Sequence, residues 1–148
     1  MTSLRNRLLA IAAFGLAATF ATAIPAAAQN VIQGSFTLPE EVRWQGATLP
    51  AGDYTFSMKS VSAPSTLRLD GPNGGAFIIA IATDQLKPGN RSALIVEQRG
   101  DLRVVRELDL PQIGLRFKYP DSKSSGDEKL LAQGPAVREE VLVSMGRK

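Results

Sequence analysis

Apolar and polar residues alternate along most of the chain beyond residue 33. Phe36 and Leu38 flank Thr37, Val42 and Trp44 flank Arg43, and Tyr54, Phe56 and Met58 alternate with Thr55, Ser57 and Lys59. Further on, Leu67 and Leu69 flank Arg68, and Leu115, Phe117 and Tyr119 alternate with Arg116 and Lys118. A period of two places apolar side chains on one face of an extended strand and polar ones on the other, which predicts half-buried antiparallel sheet. Two runs depart from that pattern. Ala76–Ala82 and Ala93–Val96 are almost uniformly apolar and predict strands buried on both faces. For the first run a helix is the competing assignment, but Pro72-Asn73-Gly74-Gly75 before it and Lys87-Pro88-Gly89-Asn90 after it leave too little length.

The punctuation between these runs is regular. Leu49-Pro50-Ala51-Gly52-Asp53 has proline where φ is preset and glycine where a positive φ is tolerated, as a tight reversal requires. Gln45-Gly46, Gly71 to Gly75 and Arg99-Gly100-Asp101 divide the other runs, the last predicting a hairpin between Leu94–Gln98 and Leu102–Leu110. Short strands separated by turns at roughly ten-residue spacing predict a single antiparallel β-sandwich or small barrel of about eight strands, over residues 29–119.

Composition changes at Pro120. Residues 120–135 are rich in Ser, Lys, Asp and Gly without periodicity and predict a flexible loop or linker. Within residues 136–148, Val137, Val141, Val143 and Met145 share one parity and predict a last strand and tail, although Arg138-Glu139-Glu140 interrupts the pattern.

The start of the chain bears on compartment. Arg5 and Arg7 precede an uncharged stretch from Leu8 to Phe20, and Ala26-Ala27-Ala28 supplies the small-x-small pattern of a signal-peptidase site. Residues 1–28 therefore predict a secretory signal peptide cleaved between Ala28 and Gln29. Ala21-Thr22-Ala23 is a second site of the same pattern, and Pro25 favours the later one. The arginines are not adjacent, which favours the general secretion route over the twin-arginine one. No cysteine is present to carry a lipoprotein anchor, and no later segment is apolar for long enough to predict a transmembrane helix. The mature chain is expected in the periplasm or outside the cell.

Cleavage also changes the charge. The full chain carries +3, but the mature part keeps fifteen basic residues against fourteen acidic ones, so its balance is +1. The basic character belongs mostly to the leader, and no nucleic-acid partner is expected. About 120 residues remain, enough for one packed domain without covalent help.

Histidine and cysteine are both absent, which rules out a Ser-His-Asp triad, a cysteine nucleophile and any imidazole or thiolate metal site. Adjacent carboxylates occur at Glu40-Glu41, Asp127-Glu128 and Glu139-Glu140, but neighbours on a strand point to opposite faces and do not share a cleft. Asp121 to Ala132 fails as a calcium loop, since Lys123 holds a ligand position and Ala132 stands where the closing glutamate belongs. Gly71 to Gly75 lacks the lysine of a phosphate loop, and Arg99-Gly100-Asp101 is better hairpin chemistry than adhesion motif. No catalytic residue, metal or cofactor is expected. Trp44, Tyr54 and Tyr119, with Phe56, are candidates for a ligand-stacking face. Their alternating context favours core packing, and Trp44, beside Arg43 and Gln45, is the one expected at a surface or pocket rim.

Gly34-Ser35-Phe36-Thr37-Leu38-Pro39, Val42-Arg43-Trp44-Gln45-Gly46 and Leu49-Pro50-Ala51-Gly52-Asp53-Tyr54-Thr55-Phe56 together resemble a group of small, uncharacterised exported β-proteins of Acidobacteria. Members have a Leu-Pro-Ala-Gly-x-Tyr turn leading into a strand, and a later hairpin before an Arg-Glu-Leu segment, matched here by Arg106-Glu107-Leu108. The usual Pro-Phe start is replaced by Thr37-Leu38-Pro39, and the chain after Pro120 has no counterpart. The resemblance implies export and an all-β fold and brings no activity with it.

These readings lead to an exported, non-enzymatic binding or interaction module, with a protein or polymer partner or a second copy of itself. The alternative is a carrier of a small apolar ligand inside a barrel, as lipocalin-like folds do. A carboxylate-based glycosidase is a distant third.

Overall fold

The computed structural model describes residues 31–89, 91–120 and 135–146. The predicted leader, with its expected Ala28/Gln29 cleavage site, and residues 121–134 of the predicted linker lie outside the described residues.

Among the described residues eleven strands form, rather than about eight: β1 (Ile32–Leu38), β2 (Val42–Trp44), β3 (Ala47–Leu49), β4 (Gly52–Met58), β5 (Ser65–Gly71), β6 (Gly74–Ala80), β7 (Ala82–Gln85), β8 (Ser92–Arg99), β9 (Leu102–Leu110), β10 (Leu115–Lys118) and β11 (Val137–Met145). The extra strands are short. β3 is the return arm of a hairpin turning at Gln45-Gly46, and β7 continues β6 after a break at Ile81. Among the described residues the only helical piece is a 3-10 turn at Pro111–Ile113.

All strands belong to one sheet, in the order β3-β2-β9-β8-β11-β1-β4-β5-β6, with β10 bridging β9 to β7. Because β7 follows directly on β6, the sheet curls back on itself into a nearly closed, barrel-like wall. Every pairing is antiparallel except the single contact between Arg43 of β2 and Val104 of β9. Closure removes most free edges, and the β2–β3 hairpin stands where the ring is incomplete.

Alternation sends one face of each strand inward. Phe36, Leu38, Trp44, Tyr54, Phe56, Met58, Leu67, Leu69, Leu94, Val96, Leu108 and Phe117 pack into one continuous core. Phe36 is its aromatic hub, stacked on Tyr54 at 5.6 Å and tilted against Trp44 and Phe56.

The turn before β4 is built from its own residues. The Tyr54 hydroxyl donates to the Pro50 carbonyl oxygen at 2.9 Å, closing the reversal. Gly52 has φ +149°, and a Cβ there would meet Pro72 Cγ at 2.7 Å. A Cβ on Gly71 would overlap the Tyr54 ring, so both glycines leave room for neighbours. The predicted hairpin of β8 and β9 forms, turning at Gly100 with φ +57°, and the turn before Gly74, at φ +105°, joins β5 and β6 as a second hairpin.

The two uniformly apolar runs behave differently. Ala93–Val96 of β8 is buried throughout, as expected, and so is Ser92 before it. Arg138 of β11 reaches over β8 to Glu107 of β9 at 3.1 Å, so a long ion-paired side chain roofs part of the outer face of β8. The expectation of burial on both faces fails for Ala76–Ala82. Ile78 and Ala80 are inside, whereas Phe77 is 71% exposed, Ile79 48% and Ile81 58%. The physical reason is position: β6 ends the hydrogen-bonded path, and its outer face has no such roof.

Candidate functional site

A concavity lies where two strands part. β11 pairs with β1 only across Gly34–Phe36 and Met145–Val143, then stays with β8 from Val143 back to Val137. Beyond Phe36 and Val143 the ladder between β1 and β11 therefore ends, and a groove of about 580 Å³ opens there. Phe36, Tyr54 and Val141, all buried, contribute to its lining.

Its rim comes from the polar half of the alternation. Ser144, Ser35, Thr55 and Asp70 stand in register across β11, β1, β4 and β5, a row of short hydroxyls ending in a carboxylate. Thr37 and Asp53 form the next pair, the threonine hydroxyl donating to the carboxylate at 2.6 Å. An adjoining hollow shares Ser35, Thr55, Asp70 and Ser144 and extends the surface toward Gln33 and Ser57. Short side chains on three adjacent strands leave the outer sheet surface recessed.

Electrostatically the groove is acidic. Asp53, Asp70, Glu139 and Glu140 line it, so the adjacent pair Glu139-Glu140 does border one cleft, against the expectation from strand alternation, and none of the lining residues is a lysine or arginine. Two of the acids are held by cations outside the lining. Asp70 pairs with Arg68 at 3.1 Å, and Glu139 accepts from Arg103 Nη2. Arg103 is itself 6% exposed and also donates from Nη1 to Glu40 at 2.6 Å, so it clamps the β1–β2 turn to β9 and β11. Glu40 and Glu139, each one member of an adjacent carboxylate pair, thus meet at one guanidinium although they stand 99 positions apart in sequence.

On the neighbouring wall, Glu97 accepts from Arg106 at 2.8 Å and Arg99 at 2.7 Å. Burial pushes the Glu97 carboxyl upward, but these two guanidinium groups outweigh it and hold the carboxyl below its usual range. Among the described residues no three metal-ligating side chains converge.

The three aromatic candidates all lie in the core. Trp44 is fully buried rather than at a rim, and its ring meets that of Tyr119 edge-on at 5.0 Å. Trp44 Nε1 and the Tyr119 hydroxyl find no hydrogen-bond partner among the described residues, and burial pushes the Tyr119 phenol far above its ordinary range. Tyr54 alone of the three touches the groove, from beneath, with its hydroxyl committed to Pro50. The rim residues Ser35, Thr55, Asp70 and Ser144 carried no sequence signal beyond being the polar half of each alternation.

Searches of family models, of curated proteins and of solved structures find no match to this chain.

Proposed function

We propose that the chain is an exported, non-enzymatic β-module that binds a partner through the acidic groove between β1 and β11. The single observation that carries this reading is an open, hydroxyl- and carboxylate-lined groove on the outside of a filled barrel. Inside, Trp44, Phe117, Leu38, Met58, Leu67 and Ile78 are each under 2% exposed, so side chains occupy the space an apolar cargo would need. Export rests on the leader read from residues 1–28, and membership of the Acidobacterial β-protein group rests on the Leu49–Tyr54 turn. An elongated polar groove suits an extended protein or polymer segment with cationic or hydroxyl groups better than a compact apolar molecule.

Native mass spectrometry of the mature protein, recovered from the envelope or medium of its own host, tests the reading. A discrete complex that disappears in Thr55→Arg, which places a long side chain across the groove, is the expected result. A co-purifying small-molecule mass unaffected by Thr55→Arg would overturn it in favour of the carrier.

A further inference from the structure

The outer face of β4, β5 and β6 bears a second surface of opposite character. Thr66, Arg68 and Phe77 line a shallow depression with Lys59 and Pro64, and no acidic residue is among its lining. Arg68 stands directly across from Phe77 and Thr66 across from Ile79. Phe77, Ile79 and Ile81 succeed one another at every second position, at 71%, 48% and 58% exposure. Large apolar side chains exposed at three successive alternate positions, two on β6 and the third at the break just after it, mark an interaction surface, because scattered exposure would need no explanation and a stripe does.

We propose that this stripe docks the protein peripherally on a bilayer carrying anionic phosphate headgroups. Phe77, Ile79 and Ile81 enter the apolar boundary of the bilayer, and Lys59 and Arg68 hold the headgroups beside them. The inference rests on the reading above of a non-enzymatic module working outside the cytoplasm, and it names a lipid surface as one of that module's partners.

Charge chooses the occupant. A symmetric pair of copies meeting through this face would gather Lys59 and Arg68 of both copies into one interface, which disfavours association. Strand addition at the β6 edge meets a further obstacle, since the Gln45 side chain already bonds both backbone groups of Ile79. The Arg68–Asp70 contact leaves the two side chains 60% and 51% exposed, and at that exposure the guanidinium readily exchanges its partner for a headgroup phosphate.

The test is co-sedimentation of the chain from Gln29 onward, which carries every described element of the fold, with phosphatidylcholine vesicles with and without phosphatidylglycerol. Binding is expected only to the anionic vesicles. It should fall about tenfold or more in Phe77→Ser/Ile81→Ser, and about fivefold for each charge lost in Lys59→Gln and Arg68→Gln. These side chains face solvent, so circular dichroism should show the variants folded. Failure to sediment with anionic vesicles, or binding unchanged in Phe77→Ser/Ile81→Ser, overturns the proposal. So does a concentration-dependent dimer abolished by the same double variant in the absence of vesicle binding, which would identify a second copy as the occupant. Thr55→Arg separates the two surfaces: it should leave vesicle binding intact while blocking the groove. Failure of vesicle binding with the groove complex retained would overturn the docking surface alone.

Discussion

The side chain of Gln45 completes the hydrogen bonding of Ile79, a residue 34 positions away in sequence. Its Nε2 donates to the Ile79 carbonyl oxygen at 2.5 Å and its Oε1 accepts the Ile79 N–H at 3.0 Å. A primary amide offering one donor and one acceptor imitates a passing strand, so the β2–β3 turn seals the β6 edge with a single side chain. Gln45 does this from φ +54°, a region where glycine or asparagine is usual.

Replacing Gln45 separates its two roles. Gln45→Ala loses both edge bonds and keeps the unfavourable φ, which should cost about 2 kcal/mol. Gln45→Gly loses the same bonds but relieves the backbone, so it should be the more stable of the two by about 1 kcal/mol. Urea unfolding of the pair checks the order, and an alanine variant as stable as the glycine one would contradict it.

Gly34 is where β1 passes closest to its neighbours. A Cβ there would lie 2.6 Å from Phe56 Cε1 and 2.9 Å from the Ser144 carbonyl oxygen. Phe56 belongs to the packed core and the carbonyl to the β1–β11 ladder, so neither yields readily. Gly34→Ala should destabilise by about 1–3 kcal/mol. Since Gly34 also helps to line the hollow next to the groove, thermal unfolding and groove binding should fall together.

Glu97 ties β8 to the arginines of its hairpin. With its carboxyl held below the ordinary value of 4.5, its stabilisation is present above that value and is lost as pH falls through the depressed folded-state value. Glu97→Gln should cost about 2 kcal/mol at neutral pH. The two stability curves should converge in acid, and a constant difference across the acid range would refute the ion-pair account.

The tyrosines set the alkaline limit. Burial raises both Tyr54 and Tyr119 above the ordinary phenol value of 10.0. Above that pH the unfolded chain gives up protons that the folded chain keeps, so stability falls as pH rises. Ultraviolet titration should show phenolate appearing only together with unfolding. Tyr119→Phe should flatten the alkaline decline and, because it also removes a hydroxyl with no partner among the described residues, leave stability at neutral pH unchanged or higher.

Local chemistry made much of this protein readable in one dimension. Period-two alternation marks β1, β4, β5 and β10, because a strand's two faces are written into successive residues. The turns at Pro50–Asp53, Pro72–Gly75 and Gly100 are equally legible, since proline and glycine constrain φ wherever they stand. What a strand packs against is a different kind of information. Ala76–Ala80 and Ala93–Val96 look alike as sequences, yet only the second is roofed, by Arg138 from a strand distant in the chain. Trp44 appeared polar in its surroundings but is buried because β2 is drawn against β9. The groove depends on β11 leaving β1 after Val143 to follow β8, and the edge seal on a glutamine meeting a backbone 34 residues away. Alternation determined which residues form strands; strand order and register, set by long-range pairing and closure of the sheet, decided which faces are covered and where the surface opens.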